Sequence, residues 1–313
     1  MESAEHYATL FDSAFLPFGL CLHESLLRHS PQAWLWVLCM DDAVHAQLQR
    51  LDLSRVSLIR LAEAETAALR EVKAGRNAGE YCWTLTPFLP TLVFDRAPQA
   101  QRVTYVDADL YFLADPAALL REFDESGKDV LITEHAYDPE YDYTEQSGRF
   151  CVQFMTFRRT AGALDVLARW QAQCVDWCFD RVEPGRFGDQ KYLDEWPHQY
   201  ASRVHVLTLR EQAIGPWNAR FFHRRDGALA PTFYHFHGFR LLRRHVALLF
   251  AHFEVGTGAR ACYREYVQAM RRSLRRLRAL DMDVRTRPLP PALRGPRAML
   301  REWWAGRAAL AWV

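Results

Sequence analysis

The chain predicts an α/β fold: a mostly parallel sheet covered by helices on both faces, with a helical extension at its C-terminal end. Three observations carry this. Apolar runs of strand length alternate with amphipathic stretches of helix length, the rhythm of parallel strands joined by crossover helices. Acidic residues stand just past the first, second and fourth of those runs, where such sheets bind their ligands. Beyond residue 255 the composition switches to arginine-rich helix.

Tyr7–Phe11 reads as the first strand, ending at Asp12-Ser13, and a helix follows over about Leu16–His29 with Leu20, Leu22, Leu26 and Leu27 at helical spacing. Trp34–Met40 is a second, buried strand that stops at Asp41-Asp42, and Val56–Leu61 is a third. Helices are predicted over 42–51 and about 62–73, and strands at Gln101–Val106 and Asp129–Thr133. Phe11-Asp-Ser-Ala-Phe15 holds no glycine, which excludes a dinucleotide-type phosphate cradle after the first strand. After Phe150 come a strand at Cys151–Phe157, a helix over 160–181, Phe187-Gly-Asp-Gln-Lys-Tyr-Leu193, a strand at Val204–Leu207 and the run Phe233-Tyr-His-Phe-His-Gly238. No Pro/Gly/Ser linker interrupts this, so residues 1–255 are expected to form one unit and 256–313 an extension. In the extension Tyr263, Val267, Met270, Leu274 and Leu277 form one apolar stripe, Pro288, Pro290 and Pro291 break it, and Ala298–Val313 carries Trp303, Trp304 and Trp312.

Composition narrows the function. With 313 residues, 50% hydrophobic and a net charge of +1, the chain is neither disordered nor a bulk polyanion binder. Only Lys73, Lys128 and Lys191 among its 39 basic residues are lysines. Seven cysteines without a CxxC pair read as small buried residues of a reducing compartment. Neither a signal peptide nor an apolar run of membrane-spanning length is seen, so a cytoplasmic location is expected. Arginines and aromatics do not interleave in a nucleic-acid module, and no nucleic-acid partner is expected.

The sharpest chemical feature is Val103-Thr-Tyr-Val-Asp107-Ala-Asp109-Leu-Tyr-Phe112. An apolar strand delivers two carboxylates to one side, roughly 6.5–7 Å apart along the chain. Charge at the end of a buried strand costs several kcal/mol unless neutralised, and a divalent cation does that while leaving positions open for phosphate. Tyr234-His235-Phe-His237-Gly238-Phe-Arg240 could complete the metal shell and grip a diphosphate. An imidazole among carboxylates favours Mn²⁺ over Mg²⁺. Gly188-Asp189-Gln190-Lys191 opens a helix, for which Asp189 could simply be the N-cap.

Together, in this order, the three motifs resemble the retaining glycosyltransferases of family 8, over about residues 5–240. That resemblance implies the GT-A fold, a Rossmann-like sheet, and a sugar transferred from a nucleotide diphosphate donor, in the family usually UDP-linked, to a glycan or glycolipid acceptor. It implies metal ligands at Asp107, Asp109 and His235 for Mn²⁺ (or Mg²⁺). Asp12, Phe15, Asp107, Gly238 and Arg240 would contact the nucleotide, and Asp189 and Gln190 the sugar and reaction centre. The chain departs from the family pattern where Leu241-Leu242 replaces Pro-Trp, Cys151 replaces an asparagine, and Arg240 replaces a lysine. Glu80-Tyr-Cys-Trp-Thr-Leu-Thr86 lacks the sugar-contacting arginine, for which Arg76 is the nearest substitute. Bacterial polysaccharide biosynthesis is the expected setting. The extension has two readings: helices packed across the catalytic unit with their arginines in water, or a peripheral contact with an anionic membrane face that presents a lipid-linked acceptor. Two rival functions stand beside the transferase, an inactive nucleotide-sugar or glycan binder and, less well supported, a DxD phosphohydrolase.

Overall fold

The computed structural model describes residues 4–242 and 245–313. Its strands are β1 (His6–Phe11), β2 (Trp34–Cys39), β3 (Val56–Arg60), β4 (Arg102–Val106), β5 (Leu110–Phe112), β6 (Val130–Glu134), β7 (Phe150–Arg158), β8 (Val204–Val206), β9 (Ala213–Ile214), β10 (Phe233–His235), β11 (Arg240–Leu241), β12 (Val246–Ala251) and β13 (Ala308–Trp312). A seven-stranded sheet of order β3-β2-β1-β4-β7-β6-β8 forms the centre. Only β7 runs antiparallel to its neighbours, pairing that way with β4 and β6. Two small sheets complete the fold, β5-β10-β9 and β11-β12-β13.

Every residue of β1 is buried, as a central strand covered on both faces requires. Beyond it the Asp12 carboxylate accepts from the amides of Ala14 and Phe15 at 3.0 and 3.2 Å, a local turn that launches the helix Leu16–His29. At the end of β2, Asp41 caps Asp42–Leu51 through the Val44 amide at 2.7 Å and also holds Ser13. The helix predicted over 62–73 is two pieces, Leu61–Ala64 and Ala67–Lys73. Thr66 starts the second by accepting from the Leu69 amide, and that local bond outcompetes continuation of the first. The helix predicted over 160–181 ends at Asp176.

In the extension the helix Arg260–Ala279 buries Tyr263, Val267, Met270, Leu274 and Leu277, as the spacing predicts. It packs on Leu16–His29, and Ser273 donates to the Pro17 carbonyl at 3.1 Å. Each such apolar side chain taken from water contributes roughly 1.5–3 kcal/mol. The extension is not helical throughout. After the helix Pro296–Trp304 the chain forms β13, which pairs antiparallel with β12 across the expected 255/256 boundary. Along it Leu310 and Trp312 face water while Ala309, Ala311 and Val313 pack against the domain, the alternation of a strand covered on one face. No helix among the described residues is long and apolar enough to cross a membrane. All seven cysteines are free, and all but Cys82 are buried.

Candidate metal centre

The DxD segment lies between two strands of different sheets. Asp107 follows β4, Asp109 precedes β5, and the Leu110 amide bonds back to the Asp107 carbonyl at 3.1 Å in a tight turn. Strand β5 pairs antiparallel with β10, with Leu110 opposite His235. This pairing joins the two motifs: 126 residues apart in sequence, Asp109 and His235 meet across one strand pair, and the Phe236 amide donates to the Asp109 carbonyl at 2.9 Å.

His235 Nε2 lies 3.1 Å from Asp109 Oδ1 and 3.7 Å from Asp107 Oδ2. One ligand atom from each of the three falls within 4.8 Å of the others. The imidazole is buried, and the carboxylates are about one-fifth exposed. A buried polar trio of this kind, open on one side to solvent, suits a divalent cation that accepts mixed oxygen and nitrogen ligands. In the free chain burial opposes the His235 proton, but the Asp109 and Asp107 carboxylates outweigh it and hold the imidazolium well above its usual range. The Asp107 carboxyl is raised by burial, with His235 opposing and Asp109 adding repulsion.

Two neighbours fix the ligands. His235 Nδ1 is 3.0 Å from Gln153 Oε1, which selects the tautomer that donates there and leaves Nε2 facing the carboxylates. Tyr105 donates its hydroxyl to Asp107 Oδ1 at 2.8 Å. The sequence reading missed Gln153, although a glutamine inside the otherwise apolar β7 is itself a signal that something polar must lie opposite. It also missed Trp217, a buried ring that stands edge-on to His235 at 5.3 Å and to His237 at 5.9 Å, with Phe253 beyond it at 6.4 Å.

The other predicted residues are distributed as follows. Asp189 is buried and caps nothing, contrary to the simple helix-cap reading; the short 3₁₀ helix Lys191–Glu195 begins after Gln190. The Trp170 indole holds its carbonyl at 2.8 Å, and its Oδ2 has no partner among the described residues. Burial, and then the charge of Asp107, push the Asp189 carboxyl up to about 8. Gly188 sits at φ +53 with the Trp83 ring 3.3 Å from where a Cβ would stand, so a side chain there would be strained and crowded. Gln190 turns its amide to the Ser147 carbonyl at 2.6 Å. Gly238, at φ +80, makes the turn from β10 to β11 and thereby brings Arg240 onto the latter. Asp12 and Phe15 lie at the end of β1, with the Phe15 ring against Phe18 at 4.9 Å. Arg76 is engaged elsewhere: it donates to Thr84 and to the Val175 carbonyl and lies over the Phe179 ring, so it does not substitute for the missing sugar-contacting arginine. His237 is not part of the three-residue cluster.

No protein-family model matches the chain. Over 249 residues it is 30% identical to the protein YfnF of Bacillus subtilis (strain 168), described as uncharacterized, an overlap of 75% of this chain and 82% of that one. Among solved structures it is similar to galactosyltransferase LgtC in complex with donor and acceptor sugar analogs, at 11% identity and TM-score 0.52 over 93% of this chain and 99% of that chain. It is likewise similar to glycosyltransferase GlyE of Streptococcus pneumoniae TIGR4, at 14% identity and TM-score 0.52 over 92% of this chain and 66% of that one. At these identities the likeness establishes the architecture, which is the GT-A fold.

Proposed function

The chain belongs to the family of Bacillus subtilis YfnF, and we propose that it is a metal-dependent glycosyltransferase, a hexosyltransferase of the retaining family 8 type. Its donor would be a nucleotide sugar, a UDP-sugar first, and its acceptor a glycan or glycolipid. The observation that carries this is the meeting of Asp107, Asp109 and His235 at the carboxyl end of β4.

Asp107 and Asp109 would hold a Mn²⁺ (or Mg²⁺) ion through one oxygen each and His235 through Nε2, the ion displacing the Nε2 proton while Gln153 keeps the other proton on Nδ1. When bound, the ion supplies positive charge where the departing nucleoside diphosphate gathers negative charge. Arg240 offers the same diphosphate a permanent planar cation. Asp12 and Phe15 would receive the nucleoside at the end of β1. Asp189 and Gln190 would line the sugar, where a carboxyl supports positive charge developing at the anomeric carbon.

We assign 1–255 to the catalytic unit and 256–313 to the extension. Trp303, Trp304 and Trp312 are 54%, 79% and 69% exposed beside the extension's arginines, which favours a peripheral seat on an anionic membrane surface, at its cytoplasmic face, over helices merely packed in water.

The test is nucleotide release. The purified chain, given a panel of nucleotide sugars and Mn²⁺, should free the nucleoside diphosphate from one of them, and EDTA should stop it. A chain that neither binds nor cleaves any of the panel is not a transferase.

A further inference from the structure

The extension carries 13 arginines, and most of those with a partner serve the fold. Arg272 pairs with Glu24 at 2.6 Å, Arg276 donates to the Leu51 carbonyl at 2.9 Å, and Arg307 pairs with Glu302 at 2.8 Å. Arg287 is different. After the helix Arg260–Ala279 the chain turns at Asp281, whose φ is +50, and runs on to β11. Gln47 holds the Asp283 carbonyl at 3.3 Å, Val284 packs against the core, and the Arg287 amide donates to the Leu241 carbonyl at 2.8 Å. That last bond fixes Arg287 beside β11, one residue from Arg240. Its guanidinium then lies over the Phe15 ring, 4.4 Å from the centroid.

Arg287 is exposed and Arg240 half-buried, and neither has a carboxylate partner among the described residues. Burial disfavours the Arg240 charge, and the charge of Arg287 disfavours it further, so two like charges stand within each other's field. The Phe15 amide in turn donates to the Asp12 carboxylate at 3.2 Å, so Arg287 and Asp12 share the end of β1. Stacking on Phe15 leaves the edge of the Arg287 guanidinium free to donate. Two unpaired guanidiniums, one anchored on the domain and one on the extension, make a seat for a polyanion.

We infer that Arg287 is a donor-binding residue: the extension carries it over the mouth of the cleft, where it and Arg240 grip the diphosphate of the nucleotide sugar. The inference rests on the donor proposed above and adds a role for the extension inside the site. Arg287 would bridge the base-side floor at Phe15 and the phosphates, so that the donor pocket is incomplete without residues 281–289.

Calorimetric titration in Mn²⁺ tests it, using wild type, Arg287→Gln and Arg287→Lys against UDP, GDP, dTDP, CDP and ADP, and against the nucleoside of whichever diphosphate binds. Arg287→Gln should weaken the diphosphate about tenfold or more while leaving the nucleoside within about twofold. Arg287→Lys, which keeps the charge and loses the planar stack, should fall between. Diphosphate binding by Arg287→Gln within twofold of wild type, with wild type binding well, overturns the role of Arg287 alone. Wild type that takes up none of the five diphosphates overturns the donor reading and this inference with it. Arg287 is exposed, so equal melting temperatures for the three proteins are expected and serve as the folding control.

Discussion

Two clusters of buried charge lie in this molecule, and they are built in opposite ways. Around Arg220, one guanidinium that is 6% exposed meets three carboxylates: Asp138 at 2.9 Å, Glu254 at 2.7 Å and Glu140 at 2.8 Å. Its three nitrogens each face an oxygen, and the Tyr141 ring covers it at 5.0 Å. The cluster ties the loop at 138–141, the helix Ala219–Asp226 and the turn after β12, and it is closed. Around His235, two carboxylates face one imidazole nitrogen at 3.1 and 3.7 Å, and apart from the Tyr105 hydroxyl on Asp107 no other side chain among the described residues satisfies them. The first arrangement satisfies its own charges. The second needs something from outside, and that separates a structural ion network from a ligand site of similar composition.

Breaking each cluster should therefore have opposite consequences, the largest at the open one. Asp109→Ala should abolish Mn²⁺ uptake and lower sugar transfer by about 10²–10³-fold, on the scale of losing one preorganised electrostatic contact. It should lower the melting temperature of the metal-free chain only modestly, because the His235 imidazolium loses its carboxylate at 3.1 Å while the repulsion between Asp109 and Asp107 is relieved. A variant that loses stability and keeps metal binding would make the trio a structural pair like the other. Metal uptake is read by calorimetry, stability by thermal melting.

At the closed cluster, Arg220→Met should cost about 3–5 kcal/mol, because the buried Asp138 carboxylate then loses its partner, while Glu254 and Glu140 can turn to water. Mn²⁺ uptake by the folded fraction should be unchanged, since Arg220 contacts none of the three proposed ligands. Urea unfolding measures the first and calorimetry the second. A loss of metal affinity without loss of stability would show the two clusters to be coupled.

The comparison is sharpened by Gln153, which orients His235 without touching the cleft. Gln153→Met should weaken Mn²⁺ about 10–100-fold, the usual cost of an orienting partner. Gln153→Glu should restore part of that, because a carboxylate also accepts from Nδ1. Equal affinities in all three proteins would mean that the imidazole needs no orientation.

Much of this was legible in the sequence for a local reason. Strands β1 to β4 and the helix Leu16–His29 announce themselves by apolar runs and spacing, and the Asp107/Asp109 pair by the strand that carries it. The breaks in the prediction were non-local or competitive. Three-residue β5 has too little length to show a pattern, and it becomes a strand because β10, more than a hundred residues on, supplies its partner. Thr66 ended a helix that periodicity would have continued. Arg76 looked free in sequence, yet the Val175 carbonyl, 99 positions away, occupies it at 2.7 Å. The strand β13 depends on β12 in the same way.

Asp189 belongs to neither cluster, and it reports on both rules. It is a buried carboxyl with one oxygen unpartnered and its acidity pushed up to about 8 by burial and by Asp107. The unfolded chain releases this proton near the ordinary aspartate value of 3.8, so between those two values the folded state holds more protons than the unfolded one. Stability from this residue is therefore greatest at low pH and falls as pH rises from about 4 to about 8, by up to about 1.4 kcal/mol per unit. Asp189→Asn removes the titration while keeping the shape. Melted side by side in metal-free buffer at pH 5, 6, 7 and 8, the two proteins should differ progressively, wild type losing ground to the variant at each step and levelling off above pH 8. Parallel curves would mean that water or a neighbour already compensates the carboxylate, and that Asp189 is not held waiting for charge to develop beside it.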